Sequence, residues 1–324
     1  MRSSPAMNKN NPKVSVRMPA YNHEAYVEAA ILSVLNQSFQ DFELLVIDDG
    51  STDRTPEILE RLSQEHGFYF ERQENMGLTK TLNKLVGMCR GEYLTGLASD
   101  DMYAPERLAA QVEALDTNPE AAFVYGKMKA MDASGVLLEE NKAFNDFDGT
   151  EDARPMMLRR GMFFAAPTTM IRRSAYEAVG PYDTSLPFED YDWFLRCVLR
   201  YPAVGLNDVL LYYRKHDANL SLAPANRGKM FDGERRMFRK HLWKPYFPTM
   251  LYHRTPSWLG LSIACGSKSR FFFALLFPLY LFHRRRLNYL SNAGRVLLPS
   301  ALYDALLGML RAVKGPRKAG MNKS

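Results

Sequence analysis

Residues 42–53 read FELLVIDDGSTD, and they carry the clearest indication of the fold class. The apolar run at 42–47 predicts a strand that is buried on both faces, as strands of parallel sheets commonly are. The polar residues at 48–51, which include a glycine, predict a turn directly after it. A buried strand followed by such a turn is typical of the ligand-binding edge of an open α/β sheet.

The same pattern repeats on both sides of this stretch. Further strands are predicted at 14–18, 68–71 and 92–98. Helices are predicted between the strands: one capped by Asn22 that runs to about residue 37, one opened by Thr55 and Pro56, and one that follows the turn at 75–77 and ends near residue 89. This alternation predicts an α/β fold with a mostly parallel central sheet.

Beyond residue 105 the alternation is less regular. Strands are predicted within 121–138 around a turn at 132–135, at 163–171 and at 208–214. A helix is predicted from 190 to 199.

Arg17 is an exception inside the otherwise apolar strand at 14–18. Charged side chains are rarely buried without a partner. We therefore expect Arg17 either to reach solvent or to pair with a carboxylate.

Polar side chains follow three of the predicted strands. Asn22 lies after the first strand, Asp48 and Asp49 after the second, and Asp100 and Asp101 after the fourth. Ligands of open α/β sheets bind at the carboxyl ends of the strands. We therefore expect these side chains to converge on one crevice although they are far apart in the sequence.

The pair Asp100–Asp101 is a candidate metal site. Two adjacent carboxylates repel each other unless a cation compensates them. Mg²⁺ and Mn²⁺ take oxygen ligands and are often shared with phosphates, so such a pair suits a diphosphate leaving group. An Asp-Asp pair also often caps a helix, and the pair alone leaves both interpretations open.

A second acidic pair, Glu189–Asp190, opens the helix predicted at 190–199. A carboxylate beside an acceptor hydroxyl acts as a general base. Acidic residues in a first helical turn also simply stabilise the helix N-terminus. The order of the three acidic clusters along the chain favours the functional interpretation.

The net charge of +6 is unevenly distributed. Residues 254–324 contain 12 Lys or Arg and one acid, a net charge of +11, so the remaining residues carry −5. A basic tail suits nucleic acid or an anionic membrane surface. No base-reading motif accompanies the charge, so we expect no nucleic-acid partner.

The C-terminal region combines this charge with apolar runs. Residues 271–282 are uncharged, but a membrane-spanning helix needs roughly 20 apolar residues and Pro278 interrupts the run. One helical face then contains five apolar residues: Leu302, Leu306, Met309, Leu310 and Val313. We expect 241–324 to form a basic amphipathic helical region that lies on a membrane, with a helical cap on the catalytic domain as the alternative.

Other features concern the compartment and the excluded classes. The three cysteines are far apart and show no zinc spacing, which favours a reducing compartment. Residues 1–13 are polar, and we expect them to be disordered and not to form a signal peptide. We therefore expect a cytoplasmic protein, peripheral on the inner face of the membrane, of unspecified oligomeric state. No G-x-G-x-x-G follows the first strand, which counts against a dinucleotide-dependent oxidoreductase.

Four stretches together resemble family 2 glycosyltransferases of the GT-A fold. They are VSVRMPAYNHEAYVEAAILSVLNQSFQDFELLVIDDGSTDRT at 14–55, ENMGLTKTLNKLVGMCRGEYLTGLASDDMYAPERL at 74–108, FEDYDWFLR at 188–196 and YRKHDANLS at 213–221. The resemblance implies a GT-A-type nucleotide-binding sandwich at 14–240. It also implies sugar transfer from a nucleotide-sugar donor, of UDP or dTDP type, with inversion at the anomeric carbon.

The resemblance implies roles for the matching residues. The catalytic base would be Asp190, with Glu189 and Trp193 on the acceptor side. A divalent metal, Mn²⁺ or Mg²⁺, would be held by three residues: Asp100, Asp101 and His216. For His216 a hydrogen-bonded loop histidine is the alternative. The nucleotide would contact a larger set: Pro19, Ala20, Tyr21, Asn22, Asp48, Asp49, Asn75, Gly77, Ser99 and Asp100.

The sequence also departs from the family pattern. Many relatives carry an acid where this chain has Ala98, so the ribose contact must come from Asp100 or from elsewhere. The chain lacks the Gln-x-x-Arg-Trp motif and the long membrane segments of processive synthases. We therefore expect transfer of a single sugar to a glycan or lipid-linked acceptor, in the synthesis of a cell-surface polysaccharide or glycolipid. The alternative is a catalytically silent module that binds a nucleotide sugar or a glycan.

Overall fold

A computed structural model describes residues 11–138, 145, 147–217, 219, 227–247, 249–250 and 253 of the chain. The chain divides into two compact units, Met1–Ala223 and Pro224–Ser324. The first unit contains the sheet and the candidate site. The boundaries expected from the sequence, at 13/14 and 240/241, stay predictions.

One eight-stranded sheet organises the first unit, in the order β3-β2-β1-β4-β7-β6-β8-β5. Its strands are β1 (Val14–Ala20), β2 (Phe42–Asp48), β3 (Tyr69–Arg72), β4 (Tyr93–Gly96), β5 (Met102–Tyr103), β6 (Phe123–Met131), β7 (Met170–Arg172) and β8 (Ala203–Arg214). The pairs β3/β2, β2/β1, β1/β4 and β6/β8 are parallel, while β7 pairs antiparallel with β4 and β6, and β5 with β8. The predicted α/β fold with a mostly parallel sheet is confirmed.

In the described part of the first unit, seven helices connect these strands: α1 (Val27–Leu35), α2 (Thr55–His66), α3 (Leu78–Met88), α4 (Arg107–Thr117), α5 (Ala153–Arg160), α6 (Arg173–Val179) and α7 (Asp190–Val198). Helix α2 has Pro56 in its first turn, as predicted, and ends at Gly67, which adopts φ +75° and donates its N–H to the carbonyl of Ser63. The helix predicted at 190–199 is confirmed as α7.

The core lies on one face of the parallel part of the sheet. Alternate residues of β1, Val14, Val16 and Met18, are completely buried and pack with apolar residues of α1 and α4. Each buried aliphatic side chain contributes about 1.5–3 kcal/mol. The opposite face of β1 presents Ser15 and Arg17, both of which are also buried.

Asn22 does not cap a helix, so that prediction was wrong. Asn22 adopts φ +53°, and its side-chain oxygen accepts the N–H of Thr52 at 2.8 Å. The carbonyl of His23 then receives the N–H groups of Tyr26 and Val27, and α1 begins only at Val27. An asparagine that tolerates the left-handed region serves here as a link to the neighbouring turn.

The strand predicted at 163–171 is also wrong for most of its length. Ala166–Thr168 forms a 3₁₀ turn that contains Pro167, and only Met170–Arg172 is extended. Phe163 and Phe164 are buried in a cluster of aromatic rings. Their apolar character reflects burial in this core and not an extended backbone, a distinction that a short apolar run cannot make.

The second unit contains helix α8 (Arg227–His241). On this helix Asp232 pairs with Arg235 at 2.6 Å and with Arg236 at 2.7 Å. Among the residues that the structure describes, none of the helices is long and apolar enough to cross a membrane. The apolar run at 271–282 and the helix expected around 302–313 lie outside the described residues.

Candidate active site

The site lies at the carboxyl ends of the central strands. In the register of the sheet, Ala20 at the end of β1 stands beside Asp48 at the end of β2. The turn after β1 is bound to the turn after β2, because the backbone N–H of Asn22 donates to the Ser51 hydroxyl at 2.8 Å. The sequence segments expected to converge here therefore do so.

The centre of the site is a cluster of His23, Asp100 and His216. The Nε2 atom of His216 lies 3.0 Å from Oδ2 of Asp100, and that of His23 lies 3.8 Å from the same oxygen. One potential ligand atom from each side chain lies within 4.8 Å of the other two. Two imidazole nitrogens and one carboxylate oxygen form a donor set that suits a divalent transition metal such as Mn²⁺.

Neighbouring side chains orient the two histidine rings. Nδ1 of His23 is hydrogen-bonded to the Ser99 hydroxyl at 2.8 Å, which leaves Nε2 directed toward Asp100. The ring of Tyr26 packs on that of His216, with 4.8 Å between centroids. Burial lowers the pKa of His23 and so favours the neutral imidazole, the form that binds a metal.

Asp101, the other half of the pair, points to different partners. One carboxylate oxygen of Asp101 accepts the backbone N–H of Arg214 at 2.8 Å, while the Arg214 side chain donates to the carbonyl of Asp100. Burial and the neighbouring Asp100 raise the pKa of Asp101 well above its usual range. The structure therefore places Asp100 in the histidine cluster and gives Asp101 a bond that fixes the end of β8.

Asp48 and Asp49, both expected at the nucleotide, also differ. The two oxygens of Asp49 accept the N–H groups of Met76 and Gly77, at 3.0 and 2.9 Å, so Asp49 shapes the turn before α3. One oxygen of Asp48 accepts the N–H of Ser51 at 3.1 Å. Its other oxygen, Oδ1, is buried and has no hydrogen-bond partner within the described part of the chain. Asp48 is thus the better candidate for a base contact.

The turn after β2 needs a glycine. Gly50 adopts φ +78°, and a Cβ atom there would lie 2.8 Å from the backbone nitrogen of Asn75. This close approach brings the 75–77 turn against the end of β2. Beside it, Pro19 and Ala20 complete β1, and the side chain of Tyr21 is 46% exposed at the edge of the site.

The residues expected on the acceptor side lie at the beginning of α7. One Asp190 oxygen accepts the N–H of Tyr191 at 2.7 Å. Burial, together with the adjacent Asp190, raises the pKa of Glu189 to about 7, and burial raises the pKa of Asp190. Trp193, expected on the acceptor side, is completely buried and donates its Nε1–H to the carbonyl of Gly180 at 2.9 Å. This hydrogen bond connects α7, which contains Trp193, to the residue that follows α6.

Arg17 does not reach solvent, and it pairs directly with no carboxylate of the described residues, so both expectations were wrong. It is buried and donates from Nη2 to the Tyr182 hydroxyl at 2.8 Å. Its Nε and Nη1 atoms have no hydrogen-bond partner among the residues that the structure describes. Leaving a buried polar group unsatisfied costs roughly 1–3 kcal/mol.

Sequence reasoning missed His23 and the backbone role of Arg214. His23 directly follows Asn22, so the rule that polar residues after strand ends meet in one crevice already included its position. Asn219, which lies in the sequence stretch at 213–221, donates to the carbonyl of Arg214 and accepts the N–H of His216. These bonds hold the segment after β8 against the cluster.

Comparison with known sequences agrees with this geometry. A family model described as Glycosyl transferase family 2 matches residues 15–180. An uncharacterized glycosyltransferase of Haemophilus influenzae is 30% identical over 191 residues, which are 58% of this chain and 73% of that protein. A putative colanic acid biosynthesis glycosyl transferase, WcaA of Escherichia coli, is 26% identical over 72% of this chain and 82% of its own length. Chondroitin synthase of E. coli is 27% identical over 66% of this chain, but the matched region spans only 30% of that protein.

Comparison with solved structures shows the shared fold. S. aureus TarS 1-349 in complex with UDP-GlcNAc superimposes with a TM-score of 0.65 at 19% identity, over 87% of each chain. The mannosyltransferase PcManGT of Pyrobaculum calidifontis, in complex with GDP-Man and Mn²⁺, gives a TM-score of 0.55 at 18% identity, over 93% of this chain and 88% of that one. At these identities the likeness concerns the GT-A-type fold alone.

Proposed function

Since the chain belongs to glycosyltransferase family 2, we propose that it transfers a single sugar from a nucleotide-sugar donor to an acceptor hydroxyl, with a divalent metal and with inversion at the anomeric carbon. Its relatives include proteins of polysaccharide synthesis, chondroitin synthase and WcaA. The proposed acceptor is a glycan or a lipid-linked intermediate of a cell-surface polysaccharide or glycolipid.

The donor site is proposed at the ends of β1, β2 and β4. Asp48 offers a buried oxygen to the base, and Asn22 and Ser51 form the adjoining turn. We propose a UDP- or dTDP-type donor, which the TarS complex with UDP-GlcNAc supports. The PcManGT complex with GDP-Man shows that the same fold also accommodates a guanine nucleotide, so a donor panel must include it.

His23, Asp100 and His216 are the residues proposed to hold the metal. A bound Mn²⁺ or Mg²⁺ supplies positive charge that stabilises the diphosphate as it leaves the sugar. The two imidazoles favour Mn²⁺ over Mg²⁺, because Mg²⁺ prefers an all-oxygen shell. Asp100 is also proposed to contact the ribose, because Ala98 has no side-chain oxygen that could do so.

Asp190 is proposed as the general base. It takes the proton of the acceptor hydroxyl while that oxygen bonds to the anomeric carbon and the bond from this carbon to the diphosphate oxygen breaks. A single displacement of this kind inverts the configuration at the anomeric carbon. The raised pKa of Glu189, about 7, and of Asp190 gives the pair a basicity close to that needed at neutral pH.

Association with the inner face of the membrane remains part of the proposal. It rests on the charge of +11 over residues 254–324 and would hold the enzyme near a lipid-linked acceptor. Removing residues 255–324 is then expected to shift the protein from the membrane to the soluble fraction, and high salt is expected to release part of the intact protein. An unchanged distribution in both experiments would contradict peripheral binding.

The observation that supports the transferase proposal most is the His23–Asp100–His216 cluster. The test is release of nucleoside diphosphate from a panel of UDP-, dTDP- and GDP-sugars with candidate glycan acceptors, with Mn²⁺ and with excess EDTA. We expect turnover that requires Mn²⁺. Asp208→Asn, which alters an exposed carboxylate on β8, is the matched control and keeps full activity. Turnover that persists undiminished in EDTA would refute the metal role.

A catalytically silent binding module is the second candidate, because Ala98 stands where many relatives carry an acid. It predicts that UDP binds without a metal requirement and that no donor in the panel is turned over. The Mn²⁺-dependent turnover expected above would exclude it.

A further inference from the structure

Arg17 is a buried cation in the middle of β1 that the donor and metal sites do not use. The β1 residues on either side of it, Val16 and Met18, are apolar and buried. In the sheet register Arg17 stands beside Leu45 of β2 and Gly96 of β4. A Cβ atom at Gly96 would lie 3.5 Å from Nε of Arg17, so the guanidinium stem runs across β4 at the position that has no side chain.

Stability alone does not account for this arginine. Only its Nη2 has a partner, the Tyr182 hydroxyl, while Nε and Nη1 are buried without one among the described residues. An apolar side chain of similar volume commonly stabilises a protein as much as a buried charged group does, or more. An incompletely satisfied buried cation therefore calls for a functional explanation.

The partner of Arg17, Tyr182, belongs to the loop that leads to the acceptor-side carboxylates. The backbone N–H and carbonyl of Tyr182 are both bound by the side chain of Asn83, each at 3.0 Å. The preceding residues are tied to α7, because Trp193 donates to the Gly180 carbonyl and Arg196 donates to the Pro181 carbonyl at 2.9 Å. The loop thus joins β1 and α3 on one side to α7 on the other.

Arg17 is the positive charge that acts on Glu189. Other titratable or charged groups lie around Arg17 and the Glu189–Asp190 pair. They are Cys89 after α3, Tyr176 from α6, Tyr182 from the loop, and Asp192 with Arg196 on α7. Asp192 and Arg196 form an ion pair at 2.8 Å. Burial and Asp190 disfavour the charged form of Glu189, and Arg17 opposes them by lowering its pKa.

We propose that Arg17 is a positioning residue for the acceptor side. Its guanidinium donates to the Tyr182 hydroxyl and so holds the loop before α7, and its charge favours the ionised form of Glu189, the neighbour of the proposed base Asp190. This inference rests on the proposed function of Asp190 as the base. It assigns to Arg17 no contact with donor, metal or acceptor.

The test is the pH dependence of kcat/KM for diphosphate release, measured for the wild type, Arg17→Met and Arg17→Lys. Methionine keeps much of the volume and removes the charge, whereas lysine keeps the charge. Because the base is active when ionised, loss of a nearby cation moves the acidic limb of the profile to higher pH. We expect a shift of about 0.5–1 pH unit in Arg17→Met, smaller than for a cation in direct contact, and little shift in Arg17→Lys.

A second readout does not depend on turnover. Carboxyl ¹³C resonances of Glu189, followed by NMR from pH 4 to 9 and assigned with Glu189→Gln, report its titration directly. The midpoint is expected to rise in Arg17→Met and to stay near the wild-type value in Arg17→Lys. If no donor is turned over by the wild type, the proposed function fails while this titration still decides the role of Arg17.

An unchanged acidic limb and an unchanged Glu189 midpoint in Arg17→Met would overturn the proposal. If Arg17→Met does not fold, Arg17→Gln provides a second neutral variant with the same expected shift. Failure of both neutral variants to fold, together with a lysine variant that folds and works normally, would assign Arg17 to structural support and would also overturn the proposal.

Discussion

The two carboxylate pairs of the site, Asp100–Asp101 and Glu189–Asp190, are alike in sequence and different in surroundings. Asp100 faces the imidazoles of His23 and His216, whose nitrogens lie 3.8 and 3.0 Å from one of its oxygens. The acceptor-side pair has no such neighbours among the described residues. Asp190 accepts the N–H of Tyr191, and the charge of Arg17 acts on Glu189 through space.

This difference corresponds to two ways of compensating adjacent negative charges, by a cation or by a proton. Asp100 and the two imidazole rings beside it present several lone pairs to one point, which is an arrangement for a metal cation. A half-buried pair without such ligands retains a proton more readily, which is an arrangement for proton transfer. We therefore expect substitutions in the first pair to affect the metal and the donor, and substitutions in the second to affect chemistry alone.

The largest expected effect is that of Asp100→Asn. The amide loses the negative charge that the metal needs, so turnover with Mn²⁺ is expected to fall by more than roughly 10³-fold. Steady-state diphosphate release measures it, and Asp208→Asn on the exposed part of β8 is the control. Activity within a few fold of the wild type would show that the first pair is not the metal site.

Asp190→Asn is expected to reduce kcat by roughly 10²–10³-fold, because the general base is lost while the metal ligands remain. Single-turnover kinetics with a saturating donor separates this loss from weaker binding. Glu189→Gln is the matched neighbour and is expected to lose less. Equal losses in the two variants would show that the pair acts as one unit and that the assignment of the base to Asp190 is wrong.

Ser99→Ala tests how the first pair is supported. The hydroxyl that binds Nδ1 of His23 is removed, so the ring is less well oriented and Mn²⁺ affinity is expected to fall about 10-fold. The concentration of Mn²⁺ that gives half-maximal activity reports this change, with Ser63→Ala, on the surface of α2, as the control. A variant with normal Mn²⁺ dependence would show that the Ser99 hydroxyl does not support His23 as a ligand.

The smallest effect concerns stability and the second pair. Because the folded pKa of Glu189, about 7, lies above its usual value near 4.5, the folded state binds more protons than the unfolded state between these values. Stability from this group is therefore lost as pH rises from about 4.5 to 7. Glu189→Gln removes that loss. The free energy of unfolding of the variant, relative to that of the wild type, is therefore expected to be roughly 1–3 kcal/mol higher at pH 8 than at pH 5.

Urea unfolding of the two proteins at pH 5 and pH 8 measures this difference. Glu120→Gln, which changes an exposed glutamate between α4 and β6, is the control for a general effect of charge removal. A stability difference that does not change with pH would show that Glu189 titrates in its ordinary range.

The sequence was sufficient for the parallel strands β1 to β4 and for the convergence of the polar segments after them. β1, β2 and α2 were predicted because apolar runs, a helix-opening proline and polar turns agree at each of them. The segment at 163–171 was not, since aromatic burial and extended structure give the same apolar pattern. A hydrophobic pattern identifies a strand or a helix only where it continues over enough residues to show its period.

The candidate site was predictable in place but not in detail. That Asp49 binds the backbone of Met76 while Asp48 keeps a free buried oxygen depends on which way each side chain points, and adjacent residues of one turn differ in this without a sequence signal. Likewise, nothing in the sequence indicates that Asp101 binds the backbone of Arg214, 113 residues away. Such contacts between distant segments arise from tertiary structure alone.

The central claim, that the His23–Asp100–His216 cluster binds a cation and the Glu189–Asp190 pair does not, is tested most directly by Mn²⁺ binding. Calorimetric titration of Mn²⁺ in the presence of UDP is carried out on the wild type, Asp100→Asn and Asp190→Asn. We expect binding to be lost in Asp100→Asn and to be unchanged in Asp190→Asn. Normal Mn²⁺ binding by Asp100→Asn, or its loss in Asp190→Asn, would contradict the account.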